Sequence, residues 1–345
     1  MIIYLCIALI ILIVLIILIY IYISNNNKKN YYKISKDNIP NVKWPFINLV
    51  DENDKNINML CIRGPLENEK DIDLFEQCIK KKIKLIGCSS YLSFPGKCLN
   101  PYGDVDILYK GKPYYDYVEG WVHCFKNPDK YIKKNIPKLL LSESDFADNI
   151  KLKPDNTDKI YDFIVYCPKD ETCESGWNYH NKNWKLCKKT IEILVNDFDQ
   201  KGILIGRKDC KINLKNEKNL TQTGFLNYWD FTNKINQSKY TIIPSFEDAS
   251  PRTLTESLLL NVPIFVNKDI IGGWKYVNDN TGRFYHETTI DKDFKSFLKN
   301  IDKYKPRKYF FDNYGIEKSG KKFKNFLKKI NPELKDCKII KFPVS

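Results

Sequence analysis

Along most of the chain, short apolar runs alternate with segments whose apolar residues recur every three or four positions, the mark of strands interleaved with amphipathic helices. Ile57 to Ile62, Ile83 to Ser89 and Lys138 to Leu141 read as strands, with a helix over Asp71 to Lys82 between the first two. The second half is more regular. Strands are predicted over Tyr161–Tyr166, Gly202–Ile205, Leu220–Thr223, Tyr240–Ile243 and Val262–Val266, and helices over Asn183–Phe198, Tyr228–Ser238 and Pro251–Leu260. In Asn183–Phe198 the side chains of Trp184, Cys187, Ile191, Leu194, Val195 and Phe198 share one face. Ser250 is expected as N-cap of the last helix, with Pro251 at its first position. The pattern as a whole predicts α/β layers around parallel sheets.

Three stretches break it. Residues 1–23 contain no charge, Gly or Pro, and at about 1.5 Å per residue they are long enough to cross a hydrocarbon core of about 30 Å. With no basic leader and no small-residue cleavage site, they read as an uncleaved single-pass anchor. Residues 24–43 are polar and aperiodic, a stalk. Residues 146–160 are polar around Pro154 and read as a linker between domains over 44–158 and 159–300, leaving a C-terminal helical segment at 301–345. The strand and helix order of the second domain is Rossmann-like, and right-handed crossovers gather its strand-to-helix loops at one edge, where ligands bind.

Composition changes this picture little. A chain of 345 residues with 43% hydrophobic content is neither disordered nor fibrous, and it has no repeat of solenoid length. The net charge of +14 suggests an anionic partner, but only five of the 56 basic residues are Arg. A solvated Lys surface explains the excess better than a nucleic-acid groove, and no nucleic-acid partner is expected. Lys28, Lys29, Lys33 and Lys36 after the anchor favour a cytosolic domain by the positive-inside rule. Two sequons, Asn219-Leu-Thr and Asn236-Gln-Ser, and ten cysteines outside the anchor suit the opposite side.

The densest chemistry lies in Pro244–Glu256 (PSFEDASPRTLTE). A strand ends, a polar loop follows, and a helix begins whose N-terminus offers free N–H groups and the positive end of its dipole to an anion. Arg252 adds a fork suited to a diphosphate. Asp248 and Glu256 would repel that diphosphate unless their task is to accept hydrogen bonds from hydroxyls, which sugar and ribose rings supply.

These residues occur in a series: Gly202-Ile-Leu-Ile-Gly-Arg207, Thr223-Gly-Phe-Leu, Asp248 to Glu256, Asn261-Val-Pro-Ile-Phe-Val, Gly272-Gly273 and Thr281-Gly282. The series resembles the nucleotide-sugar half of GT-B glycosyltransferases, most nearly family 4, the glycosyl transferases group 1 domain, over residues 160–290. The resemblance implies two Rossmann-like domains facing across a cleft, with the acceptor side supplied by 44–158. It further implies a retaining, metal-independent transfer from a nucleotide sugar to a glycan, lipid or protein, with no cofactor. Glu256 would bind the donor ribose, Asp248 would contact the transferred sugar, and Arg207, Ser250, Arg252, Gly272 and Gly273 would surround the diphosphate. Three departures stand out. Asp replaces the usual Glu at 248, Pro251 removes a backbone donor, and the usual Glu after Gly-Gly is absent from Gly272-Gly-Trp-Lys-Tyr276. An exostosin-like transferase, with a similar Ser-Pro-Arg-x-x-x-Glu element, and a non-catalytic glycan- or phosphate-binding membrane protein of the same fold are the alternatives.

In the first domain, Trp44-Pro-Phe, residues 92–103 and Gly120-Trp-Val-His-Cys-Phe are aromatic-rich, suited to sugar stacking or to a core. His123 and Asp145 are candidate bases, although a retaining front-face displacement needs none. Asp104-Val-Asp106 matches a metal-binding spacing that also recurs three times elsewhere and so carries little information. Cys167, Cys173, His180 and Cys187 are spaced too loosely for a zinc site, and a Cys167–Cys173 disulfide is the better expectation on an oxidising side of the membrane.

Overall fold

The computed structural model describes residues 9–20, 32–96, 108–148, 151–334 and 336–343. Residues 9–20 form helix α1, whose apolar side chains are exposed. Among the described residues no helix is long and apolar enough to cross a membrane, and the rest of the expected anchor lies outside the described residues. The later part of the expected stalk is not free chain. Tyr32, Ile34, Ile39 and Val42 pack into the first domain, and Asn48 and Asn56 donate to the carbonyls of Pro40 and Ile39 at 3.1 and 2.9 Å. The segment is too short for periodicity to reveal it.

The first sheet is built from β1 (Phe46–Asp51), β2 (Asn56–Ile62) and β3 (Leu85–Cys88), with α2 (Glu69–Lys80) crossing between the last two. A small hairpin, β4 (Leu108–Tyr109) and β5 (Lys112–Pro113), precedes β6 (Trp121–His123) and β7 (Lys138–Leu140). Its spatial order ends on a strand from the far end of the chain, β14 (Ile340–Lys341): β14-β1-β2-β3-β6-β7. Strands β2, β3, β6 and β7 are parallel as expected, whereas β1 runs antiparallel to β2 and to β14.

The second sheet comprises β8 (Tyr161–Tyr166), β9 (Gly202–Ile205), β10 (Leu220–Thr223), β11 (Ser238–Ile243), β12 (Ile264–Asn267) and β13 (Gly282–Tyr285). Its order is β10-β9-β8-β11-β12-β13 and every pair is parallel. Counted within the domain this is 3-2-1-4-5-6, so the order of strand addition reverses between β8 and β11, and a crevice opens beyond their carboxyl ends. Helices α3 (Trp177–Asn181), α4 (Trp184–Phe198), α5 (Tyr228–Asn236), α6 (Arg252–Leu259) and α7 (Ile290–Leu298) cover its faces. The predicted stripe of α4 is the buried one, with Trp184, Cys187, Ile191 and Leu194 fully covered against Phe163, Val165 and Leu204.

The C-terminal segment serves both domains. Helix α8 (Pro306–Asn313) lies against α6 and buries Phe310 among Leu254, Leu258 and Leu259. Helix α9 (Ile316–Ile330) then crosses back, placing Phe323, Phe326 and Leu327 against Leu49, Met59, Ile86 and Val122 of the first domain. Phe323→Ala should therefore destabilise the first domain by about 3–5 kcal/mol. Its denaturant transition is expected to move to lower concentration, and an unchanged midpoint would remove α9 from that core.

Candidate functional site

Two loops flank the crevice. One leaves β8 and leads through α3 to Lys182; the other leaves β11 and leads to α6. They are joined where the Phe246 N–H donates to the Asn181 carbonyl at 3.1 Å. Beside that bond, Lys182 Nζ donates to Asp248 Oδ2 at 2.5 Å, with both side chains partly exposed. Burial alone would lower the Lys182 pKa, but the Asp248 carboxylate holds it above its ordinary value. Lys182 was not among the residues expected from sequence. The available signal was the turn between two helical runs at Asn181-Lys-Asn183, where Asn183 adopts a left-handed conformation (φ 54°) and caps α4.

The start of α6 differs from expectation. Pro251 is the N-cap and Arg252 the first helical residue, with no side chain capping the helix. Ser250 is used elsewhere: its hydroxyl accepts the Ser144 N–H at 3.0 Å and pairs with the Ser144 hydroxyl at 2.8 Å, across the domain boundary. The Pro ring withholds an N–H at the cap, and the neighbouring domain offers Ser250 a better partner. Glu256 lies one turn after Arg252 and is buried. Burial pushes its pKa up to about 7, with Arg252 opposing.

Gly272 and Gly273 press against this loop. The Gly272 N–H donates to the Asp248 carbonyl at 3.0 Å, and a Cβ there would lie 2.1 Å from the Ala249 carbonyl oxygen. Gly273 has φ +75°, and its Cβ would meet Pro251 at 2.6 Å. Gly272 is thus required by close approach to the Asp248–Ala249 backbone, and Gly273 by its left-handed conformation against the Pro251 ring.

Other expected site residues go elsewhere. Arg207 does not face the crevice: it is fully buried, its guanidinium stacks 4.3 Å over Trp184, and all three nitrogens donate to the carbonyls of Cys167, Pro168 and Cys173. His123 is buried on β6, and burial, with Lys275 and Lys138 nearby, lowers its pKa to about 4, so it is neutral at pH 7. Asp145 joins the domains. Its carboxylate accepts from Lys275 Nζ at 2.5 Å, from the Tyr276 hydroxyl and from the Ser142 N–H at 2.9 Å. Lys275 and Tyr276 stand in the segment where the expected Glu is missing. Asp104 and Asp106 lie outside the described residues, as do residues 97–103 of the aromatic segment. Cys173 pairs with Cys210, not Cys167, whose thiol instead lies against the Lys182 carbonyl. The Asn236 sequon is buried.

Between the domains lies a cleft of about 790 Å³. Tyr115, Phe125, Lys126 and Tyr131 line it from the first domain, Phe246 and Glu247 from the second. Asp248 follows Glu247 directly in the chain, but Lys182, Asp248, Arg252 and Glu256 do not line the cavity.

Two domains, a 3-2-1-4-5-6 sheet, an interdomain cleft and a helix crossing back at the C-terminus together specify an architecture. The chain has the two-domain α/β fold of GT-B glycosyltransferases. TarM matches it at a TM-score of 0.54 with 14% identity, over 75% of this chain and 52% of TarM. Sucrose-phosphate synthase from Thermosynechococcus elongatus matches at 0.57 with 8% identity, over 77% and 72%. The lipopolysaccharide outer core galactosyltransferase WaaB matches at 0.52 with 14% identity, over 76% and 72%. The chain thus spans about half the length of TarM. No protein-family model and no curated protein sequence matches it.

In this GT-B chain Glu256 carries a folded-state pKa above its unfolded value of 4.5. The native state therefore binds the extra proton, and the contribution of Glu256 to stability is fully present below pH 4.5, is lost as pH rises through about 7, and is level beyond. Glu256→Gln should be more stable than wild type by about 1–3 kcal/mol at pH 8 and by no more than about 1 kcal/mol at pH 5. Urea melts at the two pH values check this.

Proposed function

We propose that this chain is a membrane-anchored glycosyltransferase that moves a sugar from a nucleotide-sugar donor to a glycan, lipid or protein acceptor, in the manner of family 4. The observation that carries the reading is the Lys182–Asp248 pair at the point where the strand order of the second sheet reverses, with the buried Glu256 in the helix that follows Asp248. Lys182, Arg252 and the N-terminus of α6 would meet the donor diphosphate and stabilise it as it departs, a cationic set that supports a metal-independent reaction. Glu256 would accept the ribose hydroxyls, and Asp248, released from Lys182 by the diphosphate, would face the transferred sugar. The aromatic cleft would hold the acceptor close to that sugar. Retention follows from the resemblance, and the neutral, buried His123 is assigned no part in it.

Anchoring rests on the apolar composition of residues 1–23. The Cys173–Cys210 disulfide supports an oxidising compartment for the domains, the opposite side from that favoured by the lysines after the anchor.

UDP, GDP and ADP, with their sugars, are the test panel for the full chain. At least one is expected to bind and its sugar to be turned over, with Lys182→Ala and Glu256→Ala each weakening binding tenfold or more. Because hydroxyl donors favour the ionised carboxylate, affinity should also tighten from pH 6 to pH 8 in wild type and not in Glu256→Gln. Failure of every nucleotide to bind would sink the enzyme reading; binding without turnover would favour the non-catalytic alternative.

A further inference from the structure

We propose that Arg207 and the Cys173–Cys210 disulfide together position Lys182 in the crevice, so that donor binding depends on the redox state of that disulfide; this rests on the crevice being a nucleotide-sugar site. Neither group touches the ligand in this arrangement, and both act on the loop that carries Lys182.

The loop from Cys167 to Gly176 is polar and has few bonds of its own. Asp170 ties its far end to α3, accepting from Asn178 N–H and Nδ2 at 2.8 and 2.9 Å. Glu174 is tied to Trp184 and Lys188 of α4, and most of the remaining hold comes from the end of β9 and the loop that follows it. There, Arg207 Nε reaches the Cys167 carbonyl at 3.1 Å, one terminal nitrogen reaches Pro168 at 2.8 Å, and the other reaches Cys173. Three residues further on, Cys210 bonds to Cys173, a closure of 37 residues. Cys173 is therefore gripped twice, by its carbonyl and by its sulfur.

Arg207 is an expensive way to achieve this. It is fully buried, and among the described residues it makes no ion pair with a carboxylate. Its charge is met by carbonyl dipoles and by the face of Trp184, and a buried cation is tolerated only when its donors are used in this way. A planar fork can hold three carbonyls at once; a lysine ammonium of the same charge has no such geometry. The same Trp184 begins α4 and donates from its indole N–H to Glu174 at 3.1 Å. The Cys167 thiol lies 3.9 Å from the Lys182 carbonyl. Loop, α3 and Lys182 are thereby fixed to one rigid base before any ligand arrives, which removes an ordering cost from binding. A dithiol reductant would donate two electrons and two protons, cleave the Cys173–Cys210 bond to two thiols and itself close to a disulfide. The loop would then lose its covalent tie and keep the Arg207 fork with the non-covalent bonds of Lys169, Asp170 and Glu174.

The test measures UDP, GDP and ADP binding and donor kinetics on the full chain, oxidised and after dithiothreitol. Reduction should raise the donor KM and the nucleotide Kd tenfold or more, leave kcat within twofold, and be reversed by reoxidation. Cys210→Ser should show the same deficit and no response to reductant, and Cys337→Ser should behave as wild type. Arg207→Lys should bind more weakly even when oxidised. Equal affinity in both redox states overturns the proposal, as does a loss of affinity accompanied by loss of native circular dichroism, which would make the bond a support of the whole domain. If the oxidised chain binds none of the three nucleotides, the donor-site reading fails instead.

Discussion

One buried carboxylate anchors the boundary between the two domains. Asp145 is 1% exposed and sits in the turn that ends the first domain. It accepts from Lys275 and Tyr276 of the second domain, and its backbone carbonyl accepts from the Gly315 N–H and the Ser319 hydroxyl at the start of α9. Three separate parts of the chain therefore converge on one residue. A buried ion pair of this kind adds little net stability over an apolar contact, but losing one partner leaves an uncompensated charge that costs about 3–5 kcal/mol. Its use here is to specify geometry. The neighbouring Ser144 is tied through Ser250 to the loop that carries Asp248.

The second domain solves a parallel problem at smaller scale. The carboxyl ends of β8 and β11 are where a doubly wound sheet leaves room for a ligand, and loops there have no sheet to brace them. The structure braces one with Gly272 packed onto its backbone and Gly273 against the Pro251 ring, and the other with Arg207 and a disulfide. What remains exposed at the edge is small: Lys182 bonded to Asp248, and Arg252 a turn before Glu256.

Much of this architecture was legible along the chain. The parallel strands of the second sheet and the α4 stripe come from short-range periodicity, and the loop Pro244–Glu256 stood out as the place where a strand, a polar turn and a helix start coincide. Less legible were contacts between segments far apart in sequence. Ser250 has the composition of an N-cap, and only the approach of Ser144 diverts it. Tyr32–Val42 lacks any period yet finds a groove, and β14 pairs with β1 across nearly the whole chain.

The sequence alone determined the layers, the edge at which a ligand would sit and the residue types available there, because periodicity, capping and strand-to-helix order are local properties. It also marked the few arginines as informative against a background of lysine. Only the tertiary structure decided their tasks: Arg252 at the crevice, Arg207 in the interior, and Lys182, unmarked in sequence, opposite Asp248. The same holds for Cys173, whose partner is 37 residues away and not the nearer Cys167. Which charge meets which, and which sulfur meets which, depends on the strand order that brings loop ends together, and no spacing along one segment encodes that order.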